Sequence, residues 1–191
     1  MALTPLQILE LNKRVDKILH APGNAPAGGQ QLEIAFVLDL SADRAYLDEM
    51  LRDMVRALKE HDKIFQNVRS NVVYCSGGQI TTKVTPMSFI QMGRVMEDID
   101  AEQTEPASDS GLDVGALCAY LKLYHARSKC IFVLTSGVDA CDVDKAIEGL
   151  NPFLKYRMLI LTPDKMISGT ELLLKLMAGG EGLCTADKGR L

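Results

Sequence analysis

No uninterrupted apolar run in this 191-residue chain approaches the ~20 residues that a membrane-crossing helix needs, so a helical span is not expected. The opening stretch MALTPLQILELNKRVDKIL has no basic segment leading into an apolar core, so a secretory leader is not expected either. No Lys/Arg cluster stands out, and the formal net charge is −4, which argues against nucleic-acid binding through a basic face. The five cysteines are odd in number and none is paired at C-x-x-C spacing. Cys75, Cys118, Cys130 and Cys184 lie in or beside apolar runs, where a thiol acts as a small buried hydrophobe. A reduced, cytoplasmic setting is the expectation. Internal repeats and low-complexity tracts are also missing.

What remains is ordinary globular material, 47% hydrophobic and 24% charged, enough for one sizeable domain and a short accessory segment. Thr4-Pro5 opens a helix, and Ile8, Leu11, Val15 and Ile18 give it an apolar stripe to about residue 20. Residues 21–30 are rich in Gly, Pro and Ala and read as a flexible linker. The stripe must then dock on the main domain, on a partner, or on the same helix of a second copy. From residue 31 to 191 strands and helices alternate. LEIAFVLDL is a buried strand, and Leu47, Met50, Leu51, Met54, Val55 and Leu58 mark a helix from Ala42 to about Gln66. NVVYC and QITTKVT form a hairpin about Ser76-Gly77-Gly78. Helices are expected at about 87–99, 112–127, 141–154 and 169–178. KCIFVLTSG and RMLILTP are further buried strands, and GLCTA is a short final one.

Continuously apolar strands alternating with amphipathic helices predict a three-layer α/β fold. Its central sheet is mostly parallel, with one antiparallel edge strand and helices on both faces, in a Rossmann-like arrangement. Functional groups in such folds gather at the carboxyl ends of the strands. Asp39, Ser41 and Ser136 fall on that edge.

From residue 31 to 187 the chain resembles the von Willebrand factor A domain in its element order and early hairpin. LLLKLMAGGEGLCTAD is similar to that family's closing helix, glycine pair and last strand. The resemblance implies a metal-ion-dependent adhesion site, written D-x-S-x-S after the first strand, with a threonine before a central helix and an aspartate after the fourth strand. Here Asp39 and Ser41 match, and Asp43 stands at the third position. Alignment on Gly115 puts Leu112 at the threonine, with Ser110 as a looser substitute, and Ser136 stands where the aspartate would be. Magnesium prefers near-octahedral oxygen coordination with anionic ligands. The pattern therefore implies a degenerate site, which Asp43 and Asp113 could rebuild. The plain alternative is that Ser41 caps the following helix while Asp43 complements its positive end.

Two enzyme readings are weaker. Haloacid-dehalogenase-like phosphotransferases also place an aspartate nucleophile after a first strand, but they want a second aspartate where this chain has Ser41. Cys75 before Ser76-Gly77-Gly78 would need a base, and His20, His61 and His125 fall in helices or at their ends, with His61 and His125 facing solvent. The acidic loop from Asp98 to Asp109 reads as solvated, or as a lure for a basic partner. Met87, Met92 and Met96 read as core or as an adaptable contact face. The expected role is a non-enzymatic protein–protein interaction or adaptor module with no obligatory cofactor, acting around Asp39, Ser41, Asp43, Ser110 and Ser136. The alternatives are a Mg2+-dependent ligand-binding domain and an Asp39-dependent phosphohydrolase.

Overall fold

The computed structural model describes residues 2–21, 23–24, 31–76, 79–89, 91–97, 111–139 and 142–179. Among these residues the main sheet has six strands: β1 (Glu33–Asp39), β2 (Arg69–Ser76), β3 (Gln79–Ser88), β5 (Cys130–Leu134), β7 (Met158–Leu161) and β8 (Met166–Ser168). They lie in the order β3-β2-β1-β5-β7-β8. The inner pairings of β1 with β2, β1 with β5 and β5 with β7 are parallel. A second, two-stranded sheet joins β4 (Leu112–Asp113) to β6 (Val138–Asp139).

The α/β architecture with a mixed, mostly parallel sheet is as expected, and so is the hairpin that makes β3 an antiparallel edge. The other edge departs from expectation. After β7 the chain turns at Thr162-Pro163-Asp164 and runs back as β8, antiparallel to β7. Thr162 holds that turn, its N–H donating to the Lys165 carbonyl at 3.0 Å while its hydroxyl accepts from the Lys165 N–H at 3.3 Å. Among the described residues both edges of the sheet are therefore antiparallel, where one was expected. The helix expected at 87–99 is a 3-10 segment at Gln91–Glu97, with Ser88 still in β3. The one expected at 141–154 divides at Asn151-Pro152-Phe153 into α4 (Val143–Leu150) and α5 (Leu154–Arg157). The expected final strand, GLCTA, lies outside the described residues.

Alternation along the strands builds two cores. Ile34, Phe36 and Leu38 of β1 and Cys130, Phe132 and Leu134 of β5 point to one face. There they meet α1 (Pro5–Leu19) and α2 (Arg44–His61). The rings of Phe36 and Phe132 stack with centroids 5.1 Å apart. Ala35, Val37, Ile131 and Val133 point the other way, onto α3 (Val114–Tyr124), α4 and α6 (Gly169–Met177). Helices thus cover both faces.

The N-terminal helix is part of the first core. Its Thr4/Gln7 capping box fixes the start, and Leu11, Val15, Ile18 and Leu19 are buried. Polar contacts set its angle: the Leu3 N–H donates to Asp53 of α2 at 3.0 Å, and Arg14 reaches Glu171 of α6 at 2.8 Å. Past the helix, Asn24 donates to the carbonyls of Ile18 and Lys129 at 2.8 and 2.7 Å. Residues 22 and 25–30 of the expected linker lie outside the described residues.

Candidate functional site

Parallel pairing decides what stands around Asp39. Leu38 pairs with Leu134, so the next residues, Asp39 and Thr135, leave their strands side by side on the same face. Asp39 also pairs with Cys75 at the end of β2. A carboxylate, a hydroxyl and a thiol therefore share the carboxyl edge of the three central strands. All three are buried, with Asp39 only 1% exposed.

A buried carboxylate needs hydrogen-bond donors. Asp39 finds them within its own chain. Its Oδ1 accepts from the Ser41 N–H at 3.1 Å and from the Ser41 hydroxyl at 2.5 Å. Its Oδ2 accepts from the Thr135 hydroxyl at 2.6 Å. Thr135 Oγ1 in turn accepts from the Gly137 N–H at 3.2 Å. The Gly137 carbonyl lies 2.8 Å from the same Oγ1, but the hydroxyl has one proton and the charged carboxylate is the stronger acceptor. The result is a closed network joining the ends of β1 and β5.

The other residues expected at the site are placed differently. Asp43 is the N-cap of α2, accepting from the Tyr46 N–H at 2.9 Å, so the cap is Asp43 and not Ser41. The reason is geometric: the Ser41 hydroxyl is spent on Asp39 two residues back, an Asx-type turn that leaves the cap to the next polar side chain. Asp113 caps α3, accepting from the Ala116 N–H at 3.2 Å. Leu112 is buried in β4, paired with Val138. Ser136 is exposed, while Thr135 before it turns inward. Ser110 lies outside the described residues, as does the acidic loop to Asp109. The structure thus joins Asp39 to Ser41 and gives Asp43 and Asp113 to helix termini. Among the described residues no group of three or more His, Cys, Asp and Glu side chains is arranged to hold a metal ion.

Thr135 was not singled out in the sequence. The signal was present as an equal offset: each of two paired apolar strands is followed at once by a polar residue.

Cys75 is a poor nucleophile here. Burial, and then the negative charge of Asp39, push its thiol far above the ordinary range, and its Sγ lies 3.6 Å from the Leu38 carbonyl. Burial also pushes Cys118 up to about 12, with Asp113 adding to the effect. The histidines are engaged or placed elsewhere. His61 lies 3.0 Å from Asp16, and the ring of His20 lies 2.7 Å from the Asp16 carbonyl. His125, expected to face solvent, is buried at the end of α3 against Tyr120, with no hydrogen-bond partner on either ring nitrogen. Among the described residues no helix is long and apolar enough to cross a membrane. Comparison of the chain with protein-family models, with curated proteins and with solved structures finds no match.

Proposed function

We propose that this protein is a non-enzymatic protein-interaction module of the von Willebrand factor A type, which docks a partner protein on the carboxyl edge of its sheet without a resident metal ion. The observation that carries the reading is the closed network at Asp39. A carboxylate with both oxygens taken by Ser41 and Thr135, and 1% exposed, is poorly placed to coordinate an ion or attack a phosphorus centre. The use of Asp43 and Asp113 as caps weighs the same way, since recruiting either to a metal would uncap a helix. The strand order and the antiparallel hairpin at one edge support the family likeness. Exposed Ser136, at the end of β5, offers a partner hydrogen bonds from the rim of this edge. The cytoplasm is the compartment that the buried free thiols of Cys75, Cys118 and Cys130 favour.

The test is thermal unfolding of EDTA-treated protein across a Mg2+ and Mn2+ titration, with Asp39→Ala alongside. The expected outcome is no saturable shift. Binding at about 100 times Kd would instead stabilise by about 2.7 kcal/mol, roughly 5–11 °C for a chain of this size. A shift of that kind, lost in Asp39→Ala, would replace this reading with a Mg2+-dependent ligand-binding domain. Magnesium-dependent turnover of p-nitrophenyl phosphate, abolished by Asp39→Asn, would replace it with a phosphohydrolase. For the docking edge itself, Ser136→Arg should keep the wild-type melt while losing any protein that a tagged wild-type chain retains.

A further inference from the structure

The opposite edge of the sheet holds a feature that the reading above does not use. Between α1, α5 and the start of α6 lies a groove of about 660 Å³, floored by Met158 at the amino end of β7. That is within the range of cavities that hold small organic ligands. Its charge is unlike the rest of the chain. Lys13 and Lys17, four residues apart on α1, line one wall, and Lys155 of α5 lines the other. None of the three lysines forms an ion pair among the described residues, in a chain whose net charge is −4.

The remaining charges in the groove cancel locally. Arg14 is clamped between Glu10 at 2.6 Å and Glu171 at 2.8 Å. Those bonds raise the guanidinium pKa and lower that of Glu171, so both stay ionised and committed to each other. The clamp fixes α1 against α6 and removes both acidic groups as competitors for the lysines. Three ammonium groups around a rigid seam are left over.

We infer that this groove binds a small organic phosphate. Ammonium groups act as compact point charges that suit the near-spherical charge of a phosphate. Lysine binds phosphate as a point charge, and among the described residues the one arginine lining the groove, Arg14, is already engaged, which leaves the lysines as the anion's partners. Tyr156 supplies an apolar surface. Its ring lines the groove and is half exposed, and the Lys155 ammonium lies 4.8 Å from its centroid. An organic body can rest on that ring while its phosphates reach Lys13 and Lys17.

The experiment is isothermal titration of the full chain with ATP, pyrophosphate and citrate, all in EDTA so that no divalent ion at Asp39 takes part. The Lys13→Ala/Lys17→Ala double variant is run in parallel. Both lysines are exposed on α1, so the variant should melt as the wild type does. The expected result is saturable binding of ATP, weaker binding of pyrophosphate and little of citrate, with ATP affinity falling about tenfold or more in the double variant. No saturable heat with ATP or pyrophosphate at millimolar concentration would overturn the inference. So would ATP binding that survives the double substitution, or citrate binding as tightly as ATP. None of these outcomes bears on the carboxyl edge, whose test is the metal titration.

Discussion

Replacing Thr135 with valine removes one hydroxyl from the Asp39 network and almost nothing else, since the two side chains have nearly the same shape. Two groups lose a partner. Asp39 Oδ2 loses its donor at 2.6 Å, and the buried Gly137 N–H loses its acceptor at 3.2 Å. A hydrogen bond to a charged group contributes about 1.5–3 kcal/mol, and an orphaned buried donor costs about 1–3 kcal/mol more. The Gly137 bond is long, so the low end applies to it, and about 3 kcal/mol is the expected total for Thr135→Val. That corresponds to a fall in Tm of roughly 6–12 °C. Thr135→Ser keeps the hydroxyl and deletes a methyl, for about 1 kcal/mol. Ser41→Ala should cost about 1.5 kcal/mol, the low end for a bond to a charged group, because the Ser41 N–H still serves Oδ1. Urea unfolding followed by circular dichroism measures all three. The reasoning fails if Thr135→Val lies within about 0.5 kcal/mol of the wild type, or if Thr135→Ser is as damaging.

Gly149→Ala tests the seam between α3 and α4. A Cβ there would stand 2.5 Å from the Cβ of Cys118, so overpacking of about 1–3 kcal/mol should outweigh the gain in helix propensity. A stabilised variant by urea unfolding would contradict that packing. His125 tests a pH effect. Burial lowers its pKa in the folded protein, with Glu33 opposing, so the unfolded chain binds the proton more readily. Its contribution is complete above the unfolded pKa of about 6.5 and is lost as pH falls through that value towards the lower folded pKa. The urea midpoint should drop between about pH 7.5 and pH 5.5, and His125→Leu should flatten that part of the profile; an unchanged slope would exclude His125 as its source.

The order of elements was readable because apolar periodicity reports burial directly. Strands such as IAFVL are apolar on both sides because helices cover both faces of the sheet. β8 escaped notice for the opposite reason. Met166–Ser168 is three residues long, too short for any period to register, and a turn held by Thr162 and Lys165 brings it onto the sheet. The α1 stripe showed that a docking face existed but not its address. That depended on Asp53, a charged residue inside the apolar stripe of α2, which is buried because the Leu3 N–H and Arg56 satisfy its carboxylate.

The candidate site was legible in position and not in role. A polar residue at the end of a buried strand must be paired, and the sequence alone leaves open whether the pair is an ion, a substrate or another side chain. Register brings one donor to Asp39: once Leu38 lies beside Leu134, the Thr135 hydroxyl reaches Oδ2 at 2.6 Å, while Ser41 serves Oδ1 from within its own strand end. The same logic separates Ser41 from Asp43. Each has an oxygen suited to capping α2, but Ser41 follows a carboxylate by two residues and is captured by it, so the cap passes to Asp43. Residues that look like a ligand set in sequence have been divided between a strand-end clasp and two helix starts. A metal bound there would have to compete with those contacts, and that is why stability measured across a metal titration separates the metal-free reading from the two that need magnesium, and turnover then separates those two.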